Sequence, residues 1–398
     1  LFVLEAYRSG NFDRFVVSDV VPEIVAAVRR SGGKYWINVA EPHRVSSHSI
    51  SGLEIYNTLD ADDQAKLLTA IAAADEIATA LPSVDFFERG PSGPAALLAR
   101  GLRRKLLERS LPSAVVYVAE NHNRAAERLR EAVRKRLDPS EWTLLDGRVQ
   151  FVDTVIGKMC GVIADPTQIV HTGVVPLVDG VSRAVLVEQF NRILISQIVL
   201  SDFQRGITVF QEKPDLLPFE EAKLYGHNAA HALLGYLANR RQLEFMHEAN
   251  DDVLLGIVEH AFLDESGAAL CQKHAGLDTL FTPTGWSEYV QDLLVRMVNP
   301  HLQDRIDRVT RDPRRKLGWD DRLIGTIRMA LAYDVQPRYY ALGAASAVEL
   351  LMKEHPELTA SSVLSKVWGE PADSHGSRTK VLRHVENARE ELRSCHRT

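Results

Sequence analysis

Apolar and polar positions change rhythm partway along the chain. Up to about residue 195, short apolar runs at 14–18, 33–39, 52–56, 76–81, 114–119 and 149–155 alternate with amphipathic stretches at 1–7, 61–74 and 124–137. Runs of that length read as strands and the stretches between them as helices. The 124–137 stretch carries Arg/Glu pairs four apart, which suit a solvated helical face. Such alternation predicts a doubly wound α/β sheet, whose ligands lie at the carboxyl ends of the strands. The runs at 33–39 and 52–56 read as a small β excursion from it. From about residue 194 a helical period takes over, at 220–242, 253–273, 286–298, 320–333, 340–353 and 380–392, with no clear strand alternation after Val209. The predicted organisation is an α/β domain over 1–195 and a mostly α-helical catalytic and substrate domain over 196–398. Residues 204–218, with Pro214 and Pro218, read as a linker or loop.

Composition narrows the class. Hydrophobic content of 45% and charged content of 25% are those of an ordinary globular protein, and 398 residues can bury two cores. A formal charge of −6, with no long basic run against it, argues against a nucleic-acid partner. No apolar stretch approaches the roughly 18 residues that a membrane span needs. Cys160, Cys271 and Cys395 are odd in number and far apart, so neither a disulfide framework nor a thiolate metal site is expected. A reducing, cytoplasmic setting is the expectation.

The chain opens as helix, turn and buried strand, the strand ending in Asp19. That is the back part of a dinucleotide-binding βαβ unit, so the N-terminal domain reads as Rossmann-like. On this reading a first strand and a glycine-rich turn, roughly 15 residues with a strand of about 5–6, are missing ahead of it. Asp19 is expected to accept hydrogen bonds from the adenosine ribose hydroxyls. A carboxylate there repels a 2′-phosphate and favours NAD over NADP. The plainer alternative is that Asp19 opens the turn before Val20-Val21-Pro22 and caps the next helix. By the strand-end rule, Thr79, Ala80 and Glu120 are also expected to bind the cofactor.

The densest chemistry lies at Lys223-Leu-Tyr-Gly-His227-Asn228-Ala-Ala-His231. The flanks are good helix formers without proline inside. At about 100° per residue, His227 lies near 40° from Lys223, His231 near 80° and Asn228 near 140°. All four polar groups then share one side of a helix. A desolvated lysine can take a proton from a hydroxyl, and Asn or His can donate hydrogen bonds to the developing alkoxide. The competing reading is a solvated polar face. His227 and His231 have the spacing of a zinc pair, but Asn228 stands where a metalloprotease would carry its glutamate, and no third ligand is evident. No metal is expected.

A second block, Asn299-Pro-His-Leu-Gln-Asp-Arg-Ile-Asp-Arg-Val-Thr-Arg-Asp-Pro-Arg-Arg-Lys-Leu317, is followed by Asp321-Arg-Leu-Ile324. Lys-x4-Asn-x2-His resembles the signature of the long-chain polyol dehydrogenases, the mannitol dehydrogenase family. The second block is similar to the mannitol-1-phosphate 5-dehydrogenase branch, and the resemblance spans nearly the whole chain. It implies a metal-independent, NAD-dependent oxidoreductase interconverting a sugar alcohol or its phosphate with a ketose, most simply mannitol 1-phosphate with fructose 6-phosphate. It further implies Lys223 as general acid/base, Asn228 and Asn121 around the oxyanion, and His231 orienting a neighbouring hydroxyl. Asn121 otherwise reads as a helix cap.

Arg311, Arg315 and Lys316 are expected to hold the substrate phosphate, because guanidinium forks bind phosphate oxygens in pairs. The plain alternative is a solvated turn whose charges pair with Asp304, Asp307 and Asp320. One departure stands out: the family's Val-Asp-Arg-Ile is here Val155-Ile-Gly-Lys158, so Gly157 replaces an aspartate near the substrate. Other readings are a mannitol 2-dehydrogenase, a hexuronate reductase, or a non-catalytic binding protein that keeps the fold. The partner in the enzymatic readings is a small polyol or sugar phosphate.

Overall fold

The computed structural model describes residues 2–120, 122, 124–189, 192–201, 203–369 and 376–394. It forms two compact units, Leu1–Leu217 and Pro218–Thr398. The first contains the helices α1 (Phe2–Ser9), α2 (Pro22–Arg30), α3 (Ala61–Ala73), α4 (Pro94–Leu107), α5 (Ala125–Arg134), α6 (Pro139–Arg148) and α7 (Pro166–Thr172). Its strands are β1 (Phe15–Asp19), β2 (Tyr35–Ala40), β3 (Val45–Ile50), β4 (Leu53–Asn57), β5 (Glu76–Thr79), β6 (Ala114–Val118), β7 (Val149–Ile156), β8 (Cys160–Ile163), β9 (Ala184–Glu188), β10 (Ile193–Ser196) and β11 (Phe210–Lys213).

Three sheets result: β11-β10-β7-β6-β5, β1-β4 and β3-β2-β9-β8. Strands β5, β6 and β7 run parallel, and all five residues of β6 are buried, as the continuous apolar run 114–118 requires of a strand covered on both faces. On one face lie Leu97, Leu98 and Leu102 of α4 with Leu129 and Val133 of α5. On the other, Tyr117 packs edge-on against Phe210 at 4.9 Å. β1 and β5 are edges of separate sheets among the described residues.

Two sequence expectations need correcting. The runs at 33–39 and 52–56 do not form one excursion, since β2 joins the four-stranded sheet whereas β4 pairs in parallel with β1. The first unit also extends past 195, because β10 and β11 pair with each other and β10 with β7. Alternation in a short strand gives its faces but not its partner, and a four-residue strand gives neither.

The second unit is helical. It contains α8 (Leu217–Glu221), α9 (Asn228–Arg240), α10 (Asp252–His260), α11 (Ala268–Lys273), α12 (Pro283–Met297), α13 (Ile306–Thr310) and α14 (Pro313–Lys316). After these come α15 (Ile324–Ala332), α16 (Arg338–Glu354), α17 (Ala360–Trp368) and α18 (Ser377–Ser394). Two π-turns interrupt the pattern, Ala222–His227 joining α8 to α9 and Ala261–Gly267 joining α10 to α11. α9 is buried almost all round, from Ala229 to Ala238, and so forms the centre of this unit. No helix among the described residues is long and apolar enough to cross a membrane.

Candidate active site

The helix carrying the Lys-Asn-His motif starts cleanly. Asp215 Oδ1 accepts the Leu217 N–H at 2.9 Å, and Pro218 sits in the first turn, where its missing N–H is harmless. The π-turn then inserts one residue, and the Asn228 N–H bonds to the Lys223 carbonyl, five residues back. In an unbroken α-helix residues five apart are separated by about 140°. A turn closed over five residues cancels part of that rotation, which draws Asn228 toward the side of Lys223, with His231 three residues further on. All three side chains are partly exposed. The even patch drawn at 100° per residue thus narrows toward a row.

His227 leaves that row. It is buried, and its Nδ1 has no hydrogen-bond partner. Burial, and then the charges of His231, Arg296, Lys223 and Arg322, push its imidazole well below the ordinary histidine range, so it is neutral. The His227 and His231 rings stand 6.5 Å apart at 82° to each other, and His231 Nε2 lies 3.0 Å from Asp304 Oδ2. Among the described residues no group of His, Cys, Asp or Glu is placed to hold a metal ion.

Asp304 fixes the end of the row. It is buried and also accepts from Arg308, Nε at 2.8 Å and Nη2 at 2.6 Å. Burial alone would raise its pKa, but the hydrogen bonds and charges of His231 and Arg308 outweigh that and hold it below the usual carboxylate range. An ionised carboxylate can only accept, so His231 Nε2 carries a proton toward Asp304 and leaves Nδ1 on the other side of the ring. The sequence had suggested Asp304 only as a surface ion-pair partner. The signal available was its spacing of four from Arg308.

Glycines explain why the π-turn persists. A Cβ on Gly226 would lie 2.8 Å from Phe262 Cε2 and 3.2 Å from Trp286 Cη2. The buried Trp286 donates from Nε1 to the Phe262 carbonyl at 2.8 Å, capturing an acceptor within the second π-turn. The two wide turns are thereby locked to one aromatic wedge.

The basic block divides. Arg311 and Arg315 are exposed, and Arg315 lies 3.5 Å from Asp312. Lys316 is buried, with Nζ donating to the Arg311 carbonyl, and burial followed by the charges of Arg322 and Arg315 pushes it down to about 8. Arg296, and Arg322 of the Asp321-Arg-Leu-Ile324 block, are among the charges felt at His227.

In the first unit, Asp19 closes β1, and its Oδ1 accepts the Val21 N–H at 2.8 Å, so the turn-forming role is observed. Thr79 Oγ1 and the Leu81 N–H donate to the two oxygens of Glu120 at 2.9 and 2.8 Å. Thr79 and Glu120 therefore meet beyond the carboxyl ends of β5 and β6, where burial raises the Glu120 pKa against those bonds. Ala80 is exposed beside them. Asn121 lies outside the described residues. Lys158, in the departing segment, makes a buried ion pair with Glu5 at 3.2 Å. Removing one member of such a pair typically costs about 3–5 kcal/mol.

Residues 215–385 match the family model of the mannitol dehydrogenase C-terminal domain. The mannitol-1-phosphate 5-dehydrogenase of Talaromyces marneffei is 26% identical over 327 residues, covering 81% of this chain and 76% of that protein. That of Halalkalibacterium halodurans is 27% identical over 313 residues, covering 78% and 74%. Among solved structures, a D-sorbitol dehydrogenase in substrate-free form superposes with a TM-score of 0.73 at 15% identity, covering 98% of this chain and 90% of that one. Pseudomonas fluorescens mannitol 2-dehydrogenase, in a ternary complex with NAD and D-mannitol, gives 0.68 at 15% identity, covering 98% and 89%. The N-terminal unit has the Rossmann-like fold of those dehydrogenases, and the C-terminal unit matches the mannitol dehydrogenase C-terminal domain.

Proposed function

We propose that the chain is an NAD-dependent polyol dehydrogenase that interconverts a sugar alcohol phosphate and a ketose phosphate, with mannitol 1-phosphate and fructose 6-phosphate as the pair. The observation that carries the reading is the π-turn whose Asn228 N–H bonds to the Lys223 carbonyl, with His231 just beyond it held by the Asp304–Arg308 pair. The relatives named mannitol-1-phosphate 5-dehydrogenase support the substrate class.

In the oxidative direction Lys223 takes the proton from the reacting hydroxyl. Asn228 donates to the oxygen as negative charge develops, and Asn121 is the second donor expected there. His231 accepts a neighbouring hydroxyl at Nδ1, held in place because Asp304 fixes Nε2. NAD, when bound, supplies the hydride acceptor. Asp19 fits the ribose of such a cofactor, since its Oδ1 is used by the turn and the second oxygen remains to accept. Thr79, Ala80 and Glu120 would border it. Lysine acts as a base only when neutral, so oxidation should speed up with rising pH and reduction should favour lower pH.

The test is NADH formation, followed by absorbance, with mannitol 1-phosphate and mannitol in parallel. Turnover of the phosphate ester with little of mannitol supports the reading. Turnover of mannitol alone would move the protein to a non-phosphorylated substrate, and turnover of neither would remove the polyol reading altogether.

A further inference from the structure

The segment between α14 and α15 brings one more arginine to the flank of the catalytic helix. Asp321 Oδ1 accepts both the Arg322 N–H at 2.7 Å and Nε at 2.9 Å, which fixes the root of the guanidinium. The wholly buried Thr326 hydroxyl lies 2.5 Å from the Arg322 carbonyl and 3.2 Å from that of Tyr225. Gly325 permits the same approach from the other side, since a Cβ there would lie 2.6 Å from Tyr225 Cε1. The turn bearing Arg322 is therefore pinned to the π-turn only two residues beyond Lys223.

Arg322 differs from the arginines near it. Arg308 spends Nε and Nη2 on Asp304, and Arg296 Nη1 meets Asp292 at 2.8 Å. The Arg322 side chain is only 14% exposed, yet neither Nη has a hydrogen-bond partner among the described residues. Its charge is felt at His227, beside those of His231, Arg296 and Lys223, and at Lys316, where Arg315 adds to it and Asp312 and Asp321 oppose it. A nearly buried guanidinium whose Nε is held by Asp321 and whose fork is open can take an anion with two oxygens to offer.

We propose that the open Nη pair of Arg322 receives the phosphate group of the polyol phosphate, so that Arg322 is the residue that distinguishes phosphorylated from free polyol. This rests on the polyol-phosphate reading above. It places phosphate recognition at position 322, in place of the exposed Arg311 and Arg315. A planar fork can hold two phosphate oxygens at once, whereas a lysine ammonium offers a point charge without that geometry.

The experiment compares the wild-type chain with Arg322→Gln, Arg322→Lys and the double variant Arg311→Ala/Arg315→Ala. Inorganic phosphate is titrated into each by calorimetry, and kcat/KM is measured for mannitol 1-phosphate and for mannitol. For Arg322→Gln we expect phosphate affinity to fall at least about tenfold and the ester-to-mannitol ratio of kcat/KM to fall about 10- to 100-fold, the loss of one charged hydrogen-bonding group. Arg322→Lys should recover only part of the phosphate affinity. Wild-type phosphate affinity in Arg322→Gln, or a loss confined to the double variant, overturns the assignment. If the wild-type chain oxidises neither polyol, the proposed function fails. The titration then still decides the subsite, because phosphate bound by wild type and lost in Arg322→Gln sustains it and equal affinity removes it. Should Arg322→Gln unfold, Arg322→Lys, which keeps the charge and removes the fork, carries the same comparison.

Discussion

The π-turns Ala222–His227 and Ala261–Gly267 pack against the same tryptophan but handle polar groups in opposite ways. The first leaves Lys223 and Asn228 partly exposed in a row, while the second buries Glu265 and Ser266. Each has a glycine facing Trp286: Gly226 touches the edge of its ring, and a Cβ on Gly267 would come within 2.2 Å of Nε1. The difference lies in what the inserted residue does for its neighbours. In the first turn it re-aims Lys223 and Asn228, the residues of the proposed catalytic row. In the second it aims Glu265 at the start of α16, where its two oxygens accept the N–H groups of Tyr339 and Tyr340 at 2.6 and 3.0 Å. The same backbone device thus presents the proposed catalytic row at one place and caps a helix end at the other.

If the first turn exists to present Lys223, its loss should be the largest effect. Lys223→Ala is expected to lower kcat for polyol oxidation by about 10³-fold, within the usual range for a positioned acid/base group. Its fold, followed by circular dichroism, should be unchanged. A variant that keeps most of its turnover would remove lysine from the mechanism and make the row a structural feature.

The second turn predicts a pH effect on stability. Burial, against the hydrogen bonds from Tyr339 and Tyr340, pushes Glu265 up from 4.5 to about 7, with Asp264 adding a like charge. The folded chain therefore keeps a proton that the unfolded chain releases near pH 4.5. Stability from this group is fully present below about pH 4.5 and falls as pH rises toward 7, by up to about 3 kcal/mol. Urea melts of wild type should weaken across that window. Glu265→Gln should show a flatter profile, and identical slopes would mean that Glu265 ionises freely in the folded state.

Gly267→Ala tests whether Trp286 locks the pair. The close approach to Nε1 forces either the indole or the helix to move, at a cost of about 1–3 kcal/mol in unfolding free energy, read from the shift of the urea midpoint. Because Trp286 also borders Gly226, kcat should fall with stability. A destabilised variant with wild-type kcat would show the two turns to be energetically separate.

At the end of the row, Asp304→Asn keeps the shape and removes the charge that holds His231 and Arg308. The expected loss is about tenfold in kcat/KM, a charged hydrogen bond being worth about 1.5–3 kcal/mol. Most of it should fall on KM if His231 orients substrate. A loss carried by kcat alone would assign His231 to the chemical step.

Much of this was legible in the residues, and the reasons for the rest are physical. The buried strands β5, β6 and β7 announce themselves as apolar runs, and Lys223, Asn228 and His231 as a motif. The row itself was not legible. A sequence fixes spacing, but converting spacing into angle assumes a regular helix, and here contacts of Gly226 and Gly267 with an aromatic side chain from α12 set the angle. Asp304 was visible as a charge, whereas its burial depends on how α13 packs on α9. The pairing of β4 with β1 was hidden for a similar reason, since an alternating run does not name its neighbour.

The smallest effect falls on the residue whose type looked most functional. Arg311 is exposed, and what it gives to its surroundings is its carbonyl, which accepts the buried Lys316 Nζ. Arg311→Ala keeps that carbonyl and removes a solvated guanidinium. The expected change in stability is therefore below about 0.5 kcal/mol, as for other surface substitutions without a packing role. Lys316→Met removes the other partner and leaves the same carbonyl without its donor, so it should be the more destabilising of the two in parallel urea melts. If Arg311→Ala proved the more damaging, the contact would run through the Arg311 side chain and the division of the basic block into a buried lysine and solvated arginines would have to be redrawn.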